Sequence, residues 1–99
     1  MSLKEEIFDF INDHLDEFRK KYSLSKIGLF GSIARGDENQ NSDIDLLVEF
    51  DLKKNIYKFK EEIRILFKNR FNRDVDLCRE KFIKPYIKNE ILNEIIYVK

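Results

Sequence analysis

The sequence has a single cysteine, Cys78, so no intramolecular disulfide can form. A fold without cross-links must rest on its core, and a reducing interior is the expected setting. Proline is equally scarce, with Pro85 alone, and glycine occurs three times. That leaves no flexible linker, and no internal repeat or low-complexity tract is visible. Charge of one sign is also missing: 19 basic residues balance 19 acidic ones. General nucleic-acid binding is therefore not expected, because it usually shows as a basic excess. No apolar run approaches the roughly 18 residues of a membrane span. The first twenty residues are acid-rich and helix-patterned, unlike a signal peptide. A soluble cytoplasmic protein with no membrane association is the expectation.

What is present suits one small domain spanning residues 1–99. Apolar residues make up 42% of the chain, enough for one compact but modest core. Ile7, Ile11, Leu15, Phe18 and Tyr22 recur at helical spacing and predict a helix over 3–22. Ser2 and Glu5 form a capping box at its start, and acids lead while bases end it. Residues 25–30 read as a short strand that stops at Gly31, followed by a tight turn and one helical turn. Residues 37–42 read as a loop. Residues 43–50 alternate most clearly: Ile44, Leu46, Val48 and Phe50 on one face, Asp43, Asp45, Leu47 and Glu49 on the other. A second helix is predicted over 55–70 through Ile56, Phe59, Ile63, Leu66 and Phe67, and a third strand over 73–78. A third helix is predicted over 82–95 through Ile83, Ile87, Ile91 and Ile95, with Pro85 in its first turn. Residues 97–99 read as a frayed end or a short extra strand. The order implies an α/β (α+β) domain: a small mixed sheet with helices packed on one face, leaving the acidic strand faces to look outward.

Those acidic faces carry the chemistry. Asp43 and Asp45 lie two apart on one strand, so both side chains leave the same face. Carboxylates held that close repel unless a cation or proton lies between them. Asp76 projects from another strand on what the pattern makes the same face. Three such acids could hold two Mg²⁺ ions, since hard cations choose oxygen ligands. Two ions about 4 Å apart can clamp the attacking and leaving oxygens of an in-line phosphoryl displacement. An isolated pair of this kind on an exposed strand is usually just solvated surface. Here a Gly-Ser turn precedes it and the opposite strand face is apolar throughout. Gly31 and Ser32 follow a strand and open a helical turn, which aims backbone N–H groups and a hydroxyl at an anion. Arg35, one turn on, could bring positive charge to a triphosphate or pair with nearby carboxylates.

Gly31-Ser32, ten residues, then Asp43-Ile44-Asp45 is the G-S-x10-D-x-D pattern of the DNA polymerase beta nucleotidyltransferase superfamily. The stretch GSIARGDENQNSDIDLLVEF resembles the minimal nucleotidyltransferase family, and Asp76 in Asp74-Val75-Asp76-Leu77 matches its third carboxylate. The resemblance covers nearly the whole chain and implies the polymerase beta-like fold. It implies that Gly31 and Ser32 hold the β- and γ-phosphates, that Asp43 and Asp45 bind both metals, and that Asp76 binds the catalytic one and helps deprotonate the acceptor hydroxyl. Members of the family are often antitoxins of HEPN-domain toxins. Those with an intact site are thought to transfer AMP from ATP to a tyrosine of the partner toxin. The implied reading is an Mg²⁺-dependent protein adenylyltransferase that assembles with a HEPN toxin. Relatives acting on antibiotics or RNA carry further domains, whereas this chain ends soon after its third strand, which favours a protein acceptor. Two other readings stand beside it: an antitoxin that neutralises by binding alone, and nucleotidyl transfer to a small molecule or RNA end.

The remaining candidates read as structural. His14 has no ligand partner at metal spacing, and Cys78 is a small packing residue at the site's border. Asp74 reads as a solvated strand start, and Glu49 lies too far along its strand to ligate. Arg79, Lys81, Lys84 and Lys88 form a basic group after Asp76 that could touch phosphates or a partner.

Overall fold

The computed structural model describes residues 1–98. Lys99, the end of the predicted frayed or extended tail, lies outside the described residues. The elements are α1 (Leu3–Tyr22), β1 (Leu24–Phe30), α2 (Gly31–Arg35), β2 (Ile44–Phe50), α3 (Ile56–Phe71), β3 (Val75–Cys78), a 3₁₀ turn (Glu80–Phe82), α4 (Pro85–Glu94) and β4 (Ile96–Val98).

Helix α1 begins where the sequence places its cap. Glu5 N–H donates to Ser2 Oγ at 3.1 Å, and Ser2 N–H donates back to the Glu5 carboxylate at 3.4 Å. It ends at Ser23 in the left-handed region, whose N–H donates to the Phe18 carbonyl. The five residues at helical spacing, Ile7, Ile11, Leu15, Phe18 and Tyr22, are the ones buried. Helix α3 buries Ile63 and Phe67 fully, with Ile56, Phe59 and Leu66 packed at the margin. It joins β2 to β3, which run parallel and so need a crossover of this length.

The sheet order is β3-β2-β1-β4, with β1 antiparallel to both β2 and β4. Ile27 and Leu29 of β1 and Ile44, Leu46, Val48 and Phe50 of β2 pack into one cluster with the buried stripes of α1 and α3. The tail becomes a real strand: Leu29 pairs with Ile96 and Ile27 with Val98. Gly28 makes room for it, since a Cβ there would meet Tyr97 Cδ1 at 2.8 Å and Ile95 Cγ1 at 2.9 Å.

Two expectations are corrected. The predicted third helix is two pieces: a 3₁₀ turn, then α4 from Pro85. Ile83 and Lys84 are extended, as a residue before proline prefers, which breaks the helix there. No α4 residue is fully buried. Nor does the acidic face of β2 look outward along its whole length. Leu47 is buried there, and Phe30 of β1 is buried outside the main core cluster.

Phe67 is wholly buried and touches Phe10 edge-on, with ring centroids 4.9 Å apart. Phe67→Ala should cost about 3–5 kcal/mol through lost burial and a residual cavity. Urea unfolding would show this as a lower midpoint with an unchanged slope.

Candidate functional site

The register of the sheet assembles the site. Asp45 of β2 is the cross-strand partner of Phe30 on one side and of Asp76 on the other. Phe30 is the last residue of β1, so Gly31 and α2 start beside Asp45. Gly31 has φ +80°, a conformation that side chains rarely adopt, and a Cβ on it would collide with the Asp45 carboxylate. The position is glycine for both reasons: the backbone must turn, and it must lie against an acid. Helix α2 closes at Gly36, also at positive φ, and Lys4 Nζ reaches across from α1 to the Ala34 carbonyl at 3.1 Å.

Asp43 sits one residue before β2 begins and is exposed. The loop in front of it is tied down. Arg73 Nη1 donates to the carbonyls of Asn39 at 2.9 Å and Ser42 at 2.8 Å. Asn39 N–H donates to Ser42 Oγ at 2.9 Å, and Ile44 N–H donates to the Asp74 carbonyl at 2.9 Å. Arg73 was not singled out from sequence; an arginine after a helix end carries no signal of the carbonyls it will find.

Gly31, Ser32, Arg35 and Asp45 share one open hollow of about 360 Å³, walled on the far side by Ile87, Ile91 and Glu94 of α4. Asp43 and Asp76 border two other hollows, of about 250 and 170 Å³, which share no lining residue with it. Gly31 N–H donates to Glu94 Oε1 at 3.1 Å. Arg35 Nη1 donates to Glu94 Oε2 at 3.0 Å, and Arg35 Nε to Asp37 at 3.3 Å. Glu94 was not foreseen either. Its place in the site follows from the strand β4 that anchors the end of α4, and three residues of strand leave almost no periodic trace.

Among the described residues, Asp43, Asp45 and Asp76 form no salt bridge, although other acids do. Glu49 holds Arg79 at 3.1 Å, Asp74 holds Lys68 at 2.9 Å, and Glu94 holds Arg35. The Asp45 carboxyl is pushed up to about 6, first by burial and then by the charges of Asp76 and Asp43. Among the described residues no three Asp, Glu, His or Cys side chains are gathered closely enough to hold a metal ion as they stand. The donor set still fits a hard divalent cation. It consists of carboxylate oxygens without basic partners, two of them on directly paired residues, under mutual repulsion that a cation would relieve.

The other candidates keep structural roles. His14 Nδ1 lies 2.9 Å from the Phe10 carbonyl, and its ring stacks on Phe18. Burial and nearby acids push the Cys78 thiol up to about 11, which leaves it unreactive near neutrality. Glu49 takes Arg79 and the Glu80 N–H, so Arg79 is committed to holding the 3₁₀ turn against β2.

Two predictions follow from this geometry. Gly31→Ala should cost roughly 2 kcal/mol or more, from the strained backbone and the clash with Asp45; thermal unfolding would report it. For Asp45, a folded pKa above the unfolded one means that stability falls as pH rises from about 4 to 6. Asp45→Asn should remove that fall. At pH 7.5 it should be more stable than wild type by about 1 kcal/mol, after allowance for solvent screening of a half-exposed group. At pH 4 the two should melt alike.

Comparison with known proteins identifies the family and the fold. The nucleotidyltransferase domain family matches residues 11–98. The protein adenylyltransferase MntA of Thermococcus cleftensis is 34% identical over 97 residues, covering 95% of this chain and 94% of its own. MJ1379 of Methanocaldococcus jannaschii, named provisionally for the same activity, is 37% identical over 101 residues, covering 99% of this chain and all of its own. Among solved structures, one named provisionally as a minimal nucleotidyltransferase superposes with a TM-score of 0.75 at 24% identity, over 97% of this chain and 95% of that one. A toxin–antitoxin structure with AMP-PNP superposes with a TM-score of 0.65 at 21% identity, over 96% of this chain and 71% of that one. With a matching family over most of its length and relatives of its own size, this chain belongs to the nucleotidyltransferase domain family.

Proposed function

We propose that this protein is an Mg²⁺-dependent protein adenylyltransferase that moves AMP from ATP to a tyrosine hydroxyl of a HEPN-type toxin and so acts as its antitoxin. The observation that carries the site assignment is the contact of Gly31 with the Asp45 carboxylate, with Asp76 paired beside it. Phosphate donors and cation ligands meet there at one end of the sheet. The name of the T. cleftensis relative supports the activity, and the toxin–antitoxin structure with AMP-PNP, a fold match, is consistent with the partner and nucleotide classes.

In this reading Asp43, Asp45 and Asp76 hold the Mg²⁺ ions. When bound, Mg²⁺ would neutralise charge on the phosphates and on the entering and leaving oxygens. Gly31 N–H and the Ser32 hydroxyl hold the β- and γ-phosphates, and Arg35 adds a positive charge beside them. The acceptor oxygen attacks the α-phosphorus as the bond to the pyrophosphate oxygen breaks, and pyrophosphate leaves. Asp76 is exposed at the β3 end and helps take the acceptor's proton. Ile87 and Ile91 give the hollow that Asp45 lines an apolar wall, suited to a base or an aromatic acceptor. The acceptor itself comes from outside, and the exposed aromatic rings of Tyr57, Phe82 and Tyr86 offer surface for a protein partner.

Incubation with α-labelled ATP, Mg²⁺ and a HEPN toxin should transfer label to the toxin. Asp43→Ala combined with Asp45→Ala should abolish the transfer. Label transfer that survives in the double variant would end this reading. Protection of cells by a variant that transfers no label would instead favour neutralisation by binding alone.

A further inference from the structure

The carboxylate of Glu94 stands where the proposed function needs a phosphate. One oxygen takes the Gly31 N–H at 3.1 Å and the other takes the Arg35 guanidinium at 3.0 Å. A bound phosphate would draw on the same two donors, and two anions cannot share them. The carboxylate is well sheltered, with only 18% of its side chain exposed. Its backbone is pinned on both sides. Ile95 N–H donates to the Ile91 carbonyl at 3.0 Å, and Ile96 pairs with Leu29 in the sheet. Only the side chain is free to turn away, towards the open hollow between α2 and α4. Arg35 would not be stranded by that turn, because Asp37 holds its Nε at 3.3 Å.

We propose that Glu94 is a built-in competitor of the triphosphate: it fills the anion position at Gly31 and Arg35 in the empty enzyme and must be displaced for nucleotide to bind. The proposal rests on the phosphate-binding role of Gly31 given above. Its consequence is selectivity by charge. A ligand with one weak negative charge gains little by exchanging with a carboxylate already in place. A metal-bound polyphosphate replaces it with more charge and more acceptor oxygens. The arrangement also keeps the anion-binding turn formed in the empty protein, since its leading N–H is never left without an acceptor.

The test is equilibrium binding by calorimetry in Mg²⁺ buffer, with ATP, inorganic triphosphate and adenosine as separate ligands. Glu94→Gln keeps the size and an acceptor oxygen but removes the competing charge. It should bind ATP and triphosphate about five- to tenfold tighter than wild type, as expected for loss of one partly screened repulsion. Adenosine should bind both proteins alike. Glu94→Asp, too short to span both donors, should fall between the two and serves if the glutamine variant folds poorly, which a thermal melt would reveal. Equal or weaker polyphosphate binding by these variants, with wild type binding normally, overturns the competitor role and makes Glu94 a positioning residue for Arg35. Absence of polyphosphate binding in wild type and variants alike overturns the phosphate site itself, and the competitor with it.

Discussion

The alternation of β2 is the constraint on which both fold and site depend. Ile44, Leu46, Val48 and Phe50 fill the core from one face, so Asp45 has to leave by the other. A slip of one residue would drive Asp45 into the apolar cluster and expose four core residues, a cost no small domain could bear. The register that buries the core therefore also sets Asp45 between Phe30 and Asp76. Gly31 follows Phe30 and meets the same carboxylate from the side. Packing thus fixes where Asp45 stands relative to Gly31 and Asp76.

Charge is handled unevenly across the molecule. Most acids near the site are matched: Glu49 with Arg79, Asp74 with Lys68, Glu94 with Arg35. The three aspartates of the motif are left unmatched among the described residues, and Asp45 is held well above the usual carboxylate range, first by burial and then by the charges of Asp76 and Asp43. A net charge of zero thus conceals a local surplus of negative charge. That surplus is concentrated at Asp45, whose ionised form is disfavoured by its surroundings and so costs the fold stability near neutral pH.

Much of this was legible in the sequence because two periods were clean. The helical spacing of Ile7 through Tyr22 and the strand alternation of residues 44–50 named the buried faces correctly, and the capping box at Ser2 is present as read. The family resemblance, fold and enzyme class came from the Gly-Ser turn and its distance to the acids. The C-terminal third was harder. Isoleucines at helical spacing suggested one helix over 82–95, but Pro85 and the extended pair before it divide the segment, and the real α4 buries nothing completely. Leu47 read as part of a wet face and is buried, because alternation tells which side a residue takes and not what covers that side. Arg73 and Glu94 escaped notice since each acts through a partner far away in the chain, Arg73 through the Asn39 and Ser42 carbonyls and Glu94 through Gly31.

Strand β4 has three residues and lies at the sheet's margin, one residue beyond α4. Ile95 is the whole hinge between them, and its side chain fits over Gly28. The sheet margin and the wall of the hollow therefore behave as one lever. Fraying of the short strand would release Glu94 and both isoleucines of the wall together, widening the cleft while Asp45 on the central strand β2 stays in place. Bulk placed at Gly28 would press on Ile95, the neighbour of Glu94, and reach the cleft by this mechanical route.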